Sequence, residues 1–173
     1  MKILLLSVLI IFSFLTNPVI SEQKIAFINM NKVISTSNSG SSILKQLTEL
    51  TNKNSKFLKN EENKFKQEET KLISQKNIIS DADFKKKVDE LKSKIEDYNK
   101  NRDKMIKDFN KLKIDNTNKL LKLINPILLK FSNDNEISII LQKKNLVIGK
   151  TELDITEEVI KIVNIEVKEF KIK

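Results

Sequence analysis

The sequence predicts an α+β fold, mostly α: a small β body with strands from both ends of the chain and a long antiparallel coiled-coil hairpin inserted between them. Three observations carry this. Lys24–Ile28 reads KIAFI, a short apolar run of strand character, and the next comparable run begins only near Ile137. Ser42 to Ile79 holds no Gly or Pro, and Leu44, Thr51, Leu58, Phe65, Leu72 and Ile79 recur every seven residues. Phe84, Val88, Leu91, Ile95, Tyr98, Arg102, Met105, Phe109 and Leu112 then follow in alternating steps of four and three, the spacing of a coiled-coil seam.

Each element has its own justification. Met1-Lys2 gives a positive start, Ile3 to Leu15 is apolar, Pro18 breaks the run, and Val19-Ile20-Ser21 suits cleavage. That is the layout of a secretory signal peptide over 1–21. The apolar run is shorter than the ~20 residues a spanning helix needs, so an uncleaved anchor is the weaker alternative. Ile25, Phe27 and Ile28 then belong to a strand. Its backbone must pair with a second strand, and the partner has to come from beyond the arms.

The arms are expected over 42–125. Leu58, Phe65 and Leu72 form the seam of the first. Phe84, Val88, Leu91, Ile95, Tyr98, Met105 and Phe109 form that of the second. The turn falls near 78–83, where Ser80 or Asp81 caps the new helix. Each arm of roughly 37 residues is roughly 55 Å long at ~1.5 Å per residue. Beyond Leu120 the apolar face widens, and Pro126 should kink or restart the helix. The rest of the body, 22–41 and 126–173, is β-rich. Ile137–Leu141 and Leu146–Gly149 flank the polar turn Lys143-Lys144-Asn145 and read as a β-hairpin, with Ile139, Ile140, Leu141 and Val147 in its core. Asp154-Ile155-Thr156 opens a last helix with Ile155 and Val159 inward. The tail from Ile165 to Lys173 is either an edge strand or frayed. So small a body, with open strand edges, calls for completion by other copies of the chain.

Composition narrows function. The chain has no Cys and no His, which removes disulfides, the commonest metal ligands and the usual general base. With only two glycines it has no phosphate-cradling loop. No two carboxylates are paired in an apolar pocket, as acid–base catalysis requires. An enzyme is therefore not expected, and neither a cofactor nor a metal. The net charge is +9; residues 44–125 hold 21 basic and 14 acidic side chains, so most of the excess lies on the arms. Lys85, Lys86 and Lys87 could make the tip a headgroup- or client-contacting site, although a solvated helix start is the plainer reading.

The signal peptide, the KIAFINM first strand, the Lys/Glu-rich hairpin, the second strand pair and Asp154-Ile155-Thr156 with Val159 together resemble the Skp/OmpH family of periplasmic chaperones. The resemblance implies a homotrimer whose sheet is completed between subunits. It implies an ATP-independent holdase that keeps unfolded outer-membrane proteins soluble in a cavity between flexible basic arms in the periplasm. Anionic lipid or lipopolysaccharide is an implied further partner, with no residues assigned to it. A periplasmic coiled-coil adaptor without chaperone activity is the alternative. Specific nucleic-acid binding is not expected, because the arm aromatics mostly occupy seam positions and leave no stacking platform.

Overall fold

The computed structural model describes residues 23–173, and the signal peptide read at 1–21 lies outside them. Strand β1 (Lys24–Ile28) runs into helix α1 (Met30–Thr36), then α2 (Asn38–Gln75), α3 (Asp81–Asp134), β2 (Ile137–Gln142) and α4 (Thr156–Glu166). The partner of β1 is β2, and the pairing is parallel. A parallel pair cannot be joined by a tight turn and needs a crossover. Here the crossover is the whole α2–α3 hairpin.

Local signals fix the ends of the helices. The Asn29 carboxamide oxygen accepts from the Lys32 N–H at 3.0 Å and caps α1. Ser37 closes α1 and caps α2, accepting from the Gly40 N–H at 3.3 Å. Gly40 sits where these helices meet: a Cβ there would lie 1.7 Å from the Ile34 carbonyl oxygen. Ser80 caps α3, accepting from the Asp83 N–H at 3.1 Å while donating to the Asp83 carboxylate at 2.7 Å. Asp81 and Asp83 also place negative charge at the positive end of α3.

The core gathers Ile28, Val33, Leu120, Ile124, Val159 and Val163, all essentially inaccessible to solvent. Leu120, Ile124 and Ile127 lie on α3 itself. The helix passes through Pro126 without ending, which corrects the expected restart. Tertiary packing of this face outweighs the one hydrogen bond that proline removes. One helix of about 80 Å at ~1.5 Å per residue thus serves as both arm and body wall.

A further correction concerns the body. Leu146–Gly149 forms no strand. A single 3₁₀ turn, Lys143–Asn145, leads the chain away from β2, and Val147 and Ile148 project into solvent. The other edge of β1 is instead taken by the Asp154–Ile155 backbone, where the Ile155 N–H donates to the Phe27 carbonyl at 3.0 Å. Among the expected body residues Phe27, Ile28, Ile155 and Val159 are buried and Ile140 is half-buried, but Ile25, Ile139, Leu141 and Val147 are exposed. The register explains the first three. Ile25 pairs with Ile139 and Phe27 with Leu141, so these four share one face. Within one chain only Phe27 is covered, by Gly149 and by the Lys143 ammonium 5.6 Å from the ring centre.

Candidate functional site

The arms meet along a single line of side chains. At the outer end Leu72 and Leu91 are buried, each about 9% exposed. Phe65 and Tyr98 stack edge to face at 5.3 Å and 72°. The Tyr98 hydroxyl donates to Glu62 at 2.8 Å and lies 3.5 Å from the Leu58 carbonyl. Burial first, and then the Glu62 carboxylate, hold its pKa above the ordinary tyrosine value, so it remains a donor. Lys94 bridges the arms to Glu68 at 2.8 Å, and Lys87 donates to the Gln75 side chain at 3.1 Å. Phe84, Val88 and Met105 are half-buried. Phe109, also half-buried, packs against the body core at the arm root. Ile95, expected on the seam, is 37% exposed.

Around mid-arm the two helices leave an open gap of about 660 Å³, lined by Phe57, Leu58, Phe65, Tyr98 and Met105 among charged neighbours. Several apolar side chains fall outside the heptad positions. Phe57, Ile73, Ile78, Ile106 and Ile114 are 50–79% exposed. The heptad reading passed over them. The signal was available, since each is an apolar residue one or more steps out of the seven-residue register. They are spaced along the arms among lysines.

A second surface is the uncovered face of the sheet. Ile25, Ile139 and Leu141 lie open there, with Val147, Ile148 and Leu153 exposed in the segment that follows.

Asp154-Ile155-Thr156 has a structural role. The Asp154 carboxylate accepts from the Lys143 ammonium at 2.6 Å, from the Thr156 N–H at 3.1 Å and from the Thr156 hydroxyl. That hydroxyl accepts in turn from the Asn29 N–H at 2.9 Å. Burial raises the Asp154 pKa, but the hydrogen bonds from Lys143 and Thr156 together outweigh it and leave the carboxyl below its usual range. The motif thus locks the start of α4 to the end of β1. At the arm tip Lys85, Lys86 and Lys87 are all exposed, beside the acidic first turn of α3. Among the described residues there is no cluster of metal-ligating side chains, and no helix is long and apolar enough to cross a membrane.

A paired-strand body with one long helical hairpin as its crossover defines a class of arm-bearing, non-compact α+β proteins. The family described as outer membrane protein (OmpH-like) matches residues 24–163, and the chain belongs to it. A solved structure with the same fold is that of a candidate outer membrane chaperone (OmpH-like) from Caulobacter crescentus CB15. It has a TM-score of 0.81 at 13% identity, over 88% of this chain and 90% of that one. No curated protein matches the chain.

Proposed function

We propose that this protein is a periplasmic, ATP-independent holdase that keeps unfolded outer-membrane proteins from aggregating, without catalysis of its own. The observation that carries the reading is the arm pair. Its two long helices are held by one seam, open at mid-length, and carry exposed apolar side chains spaced among basic ones. Such arms offer many weak contacts instead of one tight interface, and an unfolded chain can satisfy them in many registers. Membership of the OmpH-like family and the fold shared with the Caulobacter protein support it.

The chain works as a homo-oligomer, with three copies as the stoichiometry the family resemblance implies. The open face of Ile25, Ile139 and Leu141 is the surface that copies bury, and the arms then project around a common cavity. The surplus charge of the arms draws in acidic segments of clients over a Debye length of ~8 Å. It also gives anionic lipid or lipopolysaccharide a surface, with Lys85, Lys86 and Lys87 at its tip. The test is dilution of a urea-unfolded outer-membrane barrel into the mature protein, followed by light scattering and native mass. Suppressed scattering at stoichiometric amounts, with a discrete complex mass, is expected. Unchanged scattering refutes the holdase and leaves the adaptor.

A further inference from the structure

The tail beyond α4 is neither an edge strand nor frayed, and it lies outside the residues 24–163 that the family matches. It crosses the roots of both arms. Val167 is buried, and Phe170 and Ile172 pack half-buried on the core. From α2 the Gln46 side-chain amide donates to the Phe170 carbonyl at 3.0 Å and accepts from the Ile172 N–H at 3.2 Å. From α3 the Lys119 ammonium lies 4.0 Å from the centre of the Phe170 ring. The carboxamide of the buried Asn116 lies 3.5 Å from the Lys173 carbonyl.

Two features of this seat matter. Gln46 binds the carbonyl of one residue and the N–H of the second residue on, much as a neighbouring strand would, so it reads extended backbone whatever the sequence. The side-chain contacts ask only for apolar groups two residues apart, the first an aromatic ring that a cation can cover. We propose that the groove between the arm roots is a binding site for an extended polypeptide segment with alternating apolar residues, and that residues 167–173 are its built-in competing occupant. The occupant of matching chemistry in trans is a strand-like segment of another polypeptide. Membrane-barrel strands carry this alternation, so clients of that class would displace the tail, but the peptide-binding claim does not depend on the holdase reading.

A docked tail leaves only a small fraction of molecules competent, and apparent affinity falls by that fraction. The probe is a fluorescein-labelled peptide with the sequence of residues 166–173. The full chain carrying Phe170→Ala and Ile172→Ala should bind it about tenfold more tightly than the unaltered chain. Adding Gln46→Ala should abolish the gain, and a peptide of scrambled order should bind weakly to all. Equal binding by the unaltered and tail-altered chains, or equal binding of the scrambled peptide, overturns the site and leaves a simple strap. A second reading needs no variant: excess probe should accelerate hydrogen exchange at the Ile172 amide of the unaltered chain. No acceleration at saturating probe also overturns it. Both readouts are independent of aggregation assays, so their failure and that of the holdase reading are separable.

Discussion

Replacing Leu91 by alanine separates the arm from the body energetically. Leu91 and Leu72 are the two buried side chains of the outer seam, each about 9% exposed. A buried Leu→Ala change costs ~2–5 kcal/mol, least where the site can collapse. This seam is one side chain wide and bordered by solvent, so the lower end applies, about 2–3 kcal/mol. If the arm opens on its own, the whole cost falls on its opening equilibrium, a factor of about 30 to 150. Hydrogen exchange reads this directly. Amides over residues 62–100 should exchange faster by that factor, while those of Ile28, Val33 and Val159 keep their protection. Acceleration shared equally by body and arm would show one cooperative unit and refute the reasoning. So would an arm that does not respond.

Other perturbations probe the body. Asp154 has a depressed folded pKa, so its contribution is present above the unfolded carboxylate value of ~3.9 and is lost as pH falls through the lower folded value. Asp154→Asn should cost about 1–3 kcal/mol at pH 7 and flatten the acid limb of the urea-midpoint profile; an unchanged limb would exclude Asp154 as its source. Gly40→Ala drives a Cβ into the Ile34 carbonyl and should cost about 3 kcal/mol, read as a lower thermal midpoint. Ile139→Asp places a charge on the open sheet face. It should shift sedimentation to the monomer while the helical circular dichroism persists; an unchanged oligomer would free that face from the interface.

Much of this architecture is written locally. The arms were legible because a heptad is a short-range pattern, and Ser80 with Asp81 and Asp83 announces the turn within four residues. Phe65 meets Tyr98 edge to face, and Leu72 and Leu91 are buried. What escaped depends on long-range context. Nothing near Pro126 says that Leu120, Ile124 and Ile127 will hold the helix through it. Leu146–Gly149 has strand composition, but the 3₁₀ turn Lys143–Asn145 carries the chain away from β2 in place of a hairpin turn. Helix α1 was missed because MNKVIST is too short for periodicity to speak. Asp154 and Thr156 stood out as a motif, yet their contacts with Lys143 and Asn29 are tertiary. The tail's seat is invisible to pattern altogether, since Gln46 looks like any polar residue of a helix face.

The position of the core decides where an arm can bend. Leu120 and Ile124 are fully buried, and Val33, Val159 and Val163 share their cluster. Swinging α3 about its root would pull these side chains out together, at ~1.5–3 kcal/mol for each one exposed. The tail adds a further tie between α2 and α3 at the same level. Farther out the resistance drops. Phe65, Tyr98 and Met105 are only half-buried, Ile95 is exposed, and the gap of about 660 Å³ lies between the helices. Lys94 lines it with its charge in water, and exposed pairs such as Lys94–Glu68 hold by only ~0–1 kcal/mol. The packing thus anchors the body and leaves the arms beyond Phe109 as the part that opens at least cost; under the proposed holdase reading, a fixed base then serves unfolded chains of unequal size without breaking its own core.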